Sequence, residues 1–275
     1  MKLVSFNVNS IRSRLHQLAR LIDVHRPEII GLQETKVQDH DFPQQAIAEL
    51  GYRSIYTGQK THYGVALLSR SEPTEARLGF PNDPPEAQKR FISARYRLPD
   101  GQTLQVVNGY FPQGESRDHP VKFPAKQQFY ADLQRFLEQS CDPALPLVVM
   151  GDFNIAPDDK DVGIGPENAR RWLRTGKTSF LPEERKWFER LTTWGLTDSF
   201  RSLNPACDDL FSWFDYRSRG FEADPKRGLR IDHVLLTAPL LDRCSAAGID
   251  YSIRAMEKPS DHCPVWVELN LAEDI

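Results

Sequence analysis

Apolar residues recur along the chain with two periods, and the alternation of those periods sketches an α/β protein. Residues 2–8, KLVSFNV, form a strand-like run, after which Ile11, Leu15, Leu18 and Ile22 recur at helical spacing until Pro27 ends the helix. A second buried-strand run, EIIGLQE, ends on Glu34. A short helix around 46–50, with Gly51 as its C′ residue, precedes the strand GVALLSR. The alternating run RFISARYRL, a Pro99–Gly101 turn and the run TLQVVNGYF predict a β-hairpin, so the sheets are mixed. A helix carrying Phe129, Leu133, Phe136 and Leu137 on one face then leads into LPLVVMGDFNIAP, a buried strand that delivers Asp152 to its end.

The second half repeats this plan: a polar stretch over 157–180, a helix over 182–194, and strands at RIDHVLL and HCPVWVEL. No Gly-, Ser- or Pro-rich linker separates the halves, so residues 1–275 are expected to form one domain, a four-layer α/β sandwich of two mixed β-sheets flanked by helices. VSFNV at 4–8 and VMGDFNI at 149–155 echo each other and suggest a pseudo-twofold.

Composition narrows the class without deciding it. With 40% hydrophobic residues the chain has material for a core, which excludes an intrinsically disordered polymer. No run of about 18 apolar residues predicts a membrane-spanning helix. The N-terminus turns polar after eight residues with no apolar secretory segment, and a cytoplasmic protein is expected. Four cysteines without a CxxC spacing fit neither a zinc site nor a disulfide framework. A formal charge of −3 leaves a nucleic-acid partner open, because a local basic face attracts phosphate whatever the total. Without a coiled-coil or apolar stripe, a monomer is expected.

The chemistry sits at strand ends. Asn7, Glu34, Asn108, Tyr110, Asp152 and Asn154 each close a strong apolar strand, Asp232 lies within one, and Asp261-His262 precede the last. Any one of these has an ordinary explanation: Asp-His dipeptides occur four times, Asn7 and Asn154 suit turns, and Tyr110 suits a half-buried sheet. Their accumulation at strand ends, where an α/β fold forms its crevices, points to a hydrolytic metal site. Hard oxygen donors such as Glu34 and Asp152, with no Cys/His cluster, suit Mg²⁺ or Mn²⁺ rather than Zn²⁺, and Mg²⁺ suits phosphate esters.

The strings SFNVNSIRSR, GLQETK, NGYFPQGESRDHPVKFPAK, MGDFNIAP, DVGIG, RRWLRTGKTSFLPEER, FSWFDYRSRGF, RGLRIDH and GIDYSIRAMEKPSDHCPVW, in order to about residue 268, resemble the bacterial exonuclease III family of the endonuclease/exonuclease/phosphatase superfamily. The resemblance implies a Mg²⁺-dependent DNA repair nuclease, with Mn²⁺ able to substitute. Such an enzyme digests double-stranded DNA 3′ to 5′, incises 5′ to abasic sites and removes 3′ phosphates and other blocking groups. It implies Glu34 as principal metal ligand with Asn7 beside it, and Asp152 as the base that activates water or the acid that protonates the leaving oxygen. Asn154 would serve the transition-state oxygens or position Asp152, and Tyr110 would offer its hydroxyl to the phosphate. Asp232 would orient His262, and Asp261 would support it or a second cation; Asp152, Asn154 and Asp261 thus join the candidate metal set.

DNA contacts are expected from Arg12, Arg90, Arg117, Lys122 and Lys126 and from Arg170, Arg171, Arg174 and Lys177. Trp213 and Phe214, with Leu229 or Ile231 opposite, resemble the wall of a pocket for a flipped-out abasic sugar. Two other classes compete: an inositol-phosphate or sphingomyelin-type lipid phosphatase, and a non-catalytic nucleic-acid-binding regulator. The former should lack FSWFDYRSRGF and RRWLRTGK, and the latter should have lost acidic ligands; both strings and all the acids are present.

Overall fold

The computed structural model describes residues 1–271. In chain order it forms β1 (Lys2–Asn7), α1 (Ile11–His25), β2 (Ile29–Gln33), α2 (Gln44–Glu49), β3 (Arg53–Thr57), β4 (Val65–Ser69) and β5 (Glu75–Leu78). There follow β6 (Phe91–Arg97), β7 (Thr103–Tyr110), α3 (Lys122–Ser140), β8 (Leu147–Asp152), α4 (Pro166–Arg174), α5 (Pro182–Trp194), β9 (Leu196–Asp198) and α6 (Ser199–Leu203). The last elements are β10 (Asp232–Thr237), α7 (Ala238–Leu241), β11 (Cys244–Ile249), α8 (Tyr251–Arg254) and β12 (Val265–Leu269).

Two six-stranded sheets result, ordered β11-β12-β1-β2-β4-β3 and β5-β6-β7-β8-β10-β9. They pack face to face through Leu3, Ile29, Leu67 and Val267 of one and Ile92, Val106, Val148, Met150 and Leu236 of the other. α1 and α2 cover the first sheet through Leu18, Leu21 and Ile47, and α3 and α5 cover the second through Phe129, Leu133, Phe188 and Leu191. These are the four layers the periodicity predicts. Gly31 lets the sheets approach: a Cβ there would lie 2.8 Å from Met150 Cε and 2.9 Å from Asn108 Oδ1. Asn108 accordingly belongs to the sheet interface rather than to a strand-end site. Its amide donates to Leu32 O and Ala66 O and accepts from Gln33 Nε2, which also donates to Ser5 Oγ.

The four strands that the pattern does not predict, β3, β5, β9 and β11, are the four edges of the two sheets. Edge strands are short and only partly covered, so they carry no continuous apolar run; all four residues of β5 are exposed. Helix α4 likewise falls in the stretch read as polar loop, because none of its residues is buried. In α1 Ile11, Gln17, Leu18 and Leu21 are fully buried while the expected Leu15 and Ile22 pack partly buried against the same core, the face shifting after the non-helical backbone at Arg14 (φ −124°, ψ 16°).

The sheets are related by a pseudo-dyad, though the Phe-Asn echo is not its trace. The match by sheet position pairs β1-α1-β2-α2-β3-β4 with β7-α3-β8-α5-β9-β10 in chain order, and β11-β12, which follow the first set, with β5-β6, which precede the second. In both halves the first two strands run parallel and the last closes antiparallel on the second. Corresponding bonds link the two strand ends, Val8 N to Gln33 O at 3.0 Å and Phe111 N to Asp152 O at 2.9 Å. Gln33 and Asp152 are therefore counterparts, and the ends of β2 and β8, where Glu34 and Asp152 stand, meet where the two sheets face each other.

Candidate active site

The turns after β1 and β2 are tied together by Ser10 N donating to Glu34 O at 2.8 Å and Ile11 N donating to Thr35 O at 3.1 Å. Glu34 and Lys36 both take left-handed backbone (φ 52° and 55°), which sets their side chains side by side. Lys36 Nζ lies 2.9 Å from Glu34 Oε2. On the opposing sheet, Asp152 ends β8. Its Oδ1 accepts from Asn154 N at 3.0 Å, across a left-handed Asn154 (φ 52°). Asn7 bridges the sheets: its one amide nitrogen donates to Glu34 Oε1 and to Asp152 Oδ2, both at 2.9 Å.

Asp232 opens β10 directly across from Asp152. Its carboxylate takes His262 Nδ1 at 2.8 and 3.1 Å, which turns His262 Nε2 toward Asp152 Oδ2 at 3.8 Å. Two serines invisible to sequence reasoning hold this pair. Ser212 Oγ accepts from the backbone N of Asp232, while Ser260 Oγ donates to Asn7 O and accepts from His262 N. Asp261 faces the same space, with Oδ1 accepting from Asn9 Nδ2 at 2.8 Å and Oδ2 from Trp213 Nε1 at 3.0 Å.

Burial in a crowd of acids sets the protonation. Asp152, fully enclosed and beside Asp232 and Glu34, is pushed up to about 8 in spite of His262. Burial works to lower His262, but Asp232 and Asp152 outweigh it and raise the imidazole to about 10. Glu34 lies below the ordinary carboxylate range because Lys36 and the Asn7 amide overcome its burial. Tyr110 is pushed well up by burial and the Glu34 carboxylate.

Glu34, Tyr110, Asp152, Asn154, Trp213, Ile231, Asp261 and His262 line one cavity of about 360 Å³, with Gln113, Lys177 and Arg217 at its walls. Glu34, Asp152 and His262 each present a donor atom within 4.8 Å of the others. Two hard carboxylates from opposing sheets, both held by Asn7, fit a divalent cation. Asn7 itself turns its amide N–H groups toward them and so orients the carboxylates.

Several side chains expected to touch DNA are buried in the fold instead. Phe214 is wholly buried in a cluster with Phe211 and Cys263, its backbone N–H donating to Asp261 O and its ring lying against Gly228. Leu229 is equally buried, beneath Phe180 and Ile231, so of the four pocket candidates Trp213 and Ile231 reach the cavity. Arg90 is buried with its guanidinium stacked on the rings of Tyr63 and Tyr110, at 4.1 and 4.5 Å, and bonded to Tyr110 O. It supports Tyr110 from behind. Lys126 is not at the surface at all: it is fully buried, bonded to Glu184, Asn154 O and Gln113 O. Arg12, Arg117 and Lys122 are exposed and paired with Asp41, Glu183 and Glu115, outside the cavity lining. Of the 170–177 basic run, Lys177 reaches the cavity wall, its ammonium 3.7 Å from the Trp172 ring, and Arg171 lines an adjoining cleft with Arg227.

Residues 4–262 match the Endonuclease/Exonuclease/phosphatase family. This chain belongs to that family. Among its relatives, the exodeoxyribonuclease III of Haemophilus influenzae is 58% identical over 268 residues, spanning 98% of this chain and 99% of that protein. Two solved structures of the same fold are an AP endonuclease from Archaeoglobus fulgidus (TM-score 0.89, 32% identity, 98% of this chain and 99% of that one) and the 3′ phosphatase NExo from Neisseria bound to product DNA hairpin (TM-score 0.88, 38% identity, with the same coverage). The four layers and the paired mixed sheets are thus those of this family. Among the described residues no helix is long and apolar enough to cross a membrane.

Proposed function

We propose that the chain is a Mg²⁺-dependent DNA repair nuclease, a 3′–5′ exonuclease on duplex DNA that also incises 5′ to abasic sites and clears 3′ phosphates and other 3′ blocking groups. One observation carries this reading: a two-carboxylate, oriented-histidine centre opens into the same cavity as an aromatic and an aliphatic wall, Trp213 and Ile231. A phosphodiester placed on the centre leaves its neighbouring sugar against those two side chains, in a space suited to a deoxyribose without its base.

Glu34 and Asp152 would hold the cation, Mg²⁺ or Mn²⁺ in its place, with Asn7 fixing both carboxylates. Bound there, the ion supplies Lewis-acid stabilisation of charge gathering on the phosphate oxygens. Asp152, across from Asp232 and with its Oδ2 3.8 Å from His262 Nε2, is the carboxyl placed to take a proton from attacking water or return one to the leaving 3′ oxygen. His262, held at Nδ1 by Asp232, aims its Nε2 at the reacting region as a charged donor to a phosphate oxygen. Tyr110, backed by Arg90, keeps its proton and offers a second donor. Asn154, anchored by Nδ2 on Phe111 O, sets the Asp152 carboxylate through its backbone N–H. No protein nucleophile is required.

The test is cleavage of a labelled duplex bearing one tetrahydrofuran abasic analogue, beside an undamaged recessed 3′ end, with Mg²⁺ and with EDTA. Incision directly 5′ to the analogue, abolished by EDTA, is expected. Intact, salt-sensitive binding without cleavage would instead favour a non-catalytic DNA-binding protein.

A further inference from the structure

An unbroken set of polar contacts runs from Glu34 to the indole of Trp213. Lys36 Nζ pairs with Glu34 Oε2 at 2.9 Å and donates to Asn9 Oδ1 at 2.5 Å. Asn9 Nδ2 donates to Asp261 Oδ1 at 2.8 Å, and Asp261 Oδ2 accepts from Trp213 Nε1 at 3.0 Å. The contributing backbones are pinned. Ser10 and Ile11 are bonded to the 34–35 turn, Phe214 N donates to Asp261 O, and Trp213 is bridged to His262. Side chains, not loops, are therefore free to rearrange along this path.

Lys36 is the cation that Glu34 pairs with when no divalent ion is bound. A divalent ion on Glu34 repels the ammonium and takes over its partner, at a separation where Coulomb interactions in a half-buried site are strong. Lys36 keeps its bond to Asn9. The Asn9 amide is one rigid plane with its oxygen on Lys36 and its nitrogen on Asp261, so a displacement at one end is felt at the other. Asp261 in turn has one oxygen on Asn9 and the other on the indole.

We propose that Lys36, Asn9 and Asp261 are positioning residues that couple cation binding at Glu34 to the setting of Trp213, the side chain that faces the sugar. The proposal rests on Glu34 being the cation ligand. It makes recognition of a missing base and assembly of the cutting centre one event. By linkage, DNA seated against Trp213 raises the affinity for the cation by the same factor that the cation raises affinity for that DNA.

The experiment uses the full chain carrying 5-fluorotryptophan, free of DNA, titrated with Mg²⁺ and followed by ¹⁹F NMR, with Mg²⁺ binding measured in parallel by calorimetry. The Trp213 resonance is assigned with Trp213→Phe, and the remote Trp187, Trp194 and Trp266 serve as references. The expected result is a Trp213 shift that saturates with Mg²⁺ binding and is lost in Asn9→Ala, which still binds Mg²⁺. Lys36→Met gives the second reading, again binding Mg²⁺ without moving Trp213, should Asn9→Ala fail to fold. An abasic duplex with a cleavage-resistant linkage at the scissile position should tighten Mg²⁺ binding about 5-fold or more in the wild type and less in the folded variant. A Trp213 resonance that stays fixed while Mg²⁺ saturates overturns the coupling. So does a shift of equal size in the variants, which would mean that Asp261 senses the ion directly. Absence of calorimetric Mg²⁺ binding overturns the cation reading together with the coupling, and is distinct from a silent tryptophan.

Discussion

His262 Nδ1 rests 2.8 Å from Asp232 Oδ2, an imidazole from the loop before β12 held by a carboxylate at the head of β10 on the other sheet. Each sheet thus contributes one member of the pair, and the pair exists only where the sheets meet. Asp232→Asn replaces the acceptor with an amide that cannot sustain the charged ring. Turnover on an abasic duplex should fall by about 10²–10⁴, and the pH–rate profile should change because His262 loses the carboxylate that raises it. An unaltered profile would rule out this role for the pair.

Trp213 and Phe214 are neighbours in sequence with opposite surroundings. Trp213→Ser removes a cavity wall, so preference for an abasic over an intact strand should drop while the unfolding midpoint shifts little. Phe214→Ala opens a hole in a fully buried cluster and should cost about 3–5 kcal/mol in urea unfolding, with lesion preference retained in the folded fraction.

Lys126 and Glu184 form an ion pair in which neither side chain is exposed, and it joins three site loops. Lys126 holds Gln113 O and Asn154 O, and Glu184 Oε2 accepts from Ser179 N and Leu181 N. Lys126→Met leaves a buried carboxylate without its partner and should destabilise the fold by about 3–5 kcal/mol. Lys126→Met combined with Glu184→Leu removes the orphaned charge and should recover part of that loss, a non-additivity that denaturation of the three variants measures directly.

Asp250 ties the end of α1 to the start of α8. Burial opposes its charge, but His25 and the Ser252 hydroxyl and backbone N–H, with that of Ile253, hold it down at about 2. A carboxyl depressed in the folded state stabilises above its ordinary value and ceases to do so as pH falls toward the folded one. Stability should therefore decline between about pH 4 and 2. In Asp250→Ala, thermal melts should show a loss of about 1–2 kcal/mol near neutral pH and a flatter slope across that acid window.

The central strands and long helices were legible because they are covered on a continuous face, and Glu34 and Asp152 because an acid closing an apolar run is conspicuous. What pattern does not carry is register and direction. Nothing in Phe214 or Arg90 as residue types distinguishes a core ring from a pocket wall, or a DNA contact from a support beneath Tyr110. Lys126 reads as a surface cation until its burial is known. Ser212 and Ser260 act through a single hydroxyl each, and Lys36 and Asn9 gain their meaning from left-handed turns that bring Lys36 beside Glu34 and Asn9 against Asp261.

β1 lies between β2 and β12, so its pairing is completed by a strand far downstream of it. During synthesis β1 waits, unpaired on one side, for residues some 260 positions later, and Asn7 lacks Ser260 until then. A ribosome-bound fragment holds Glu34 and Asp152 without the imidazole and without the Trp213 anchor at Asp261. The cluster of Glu34, Asp152 and His262 is thus complete only after residue 262 has left the ribosome.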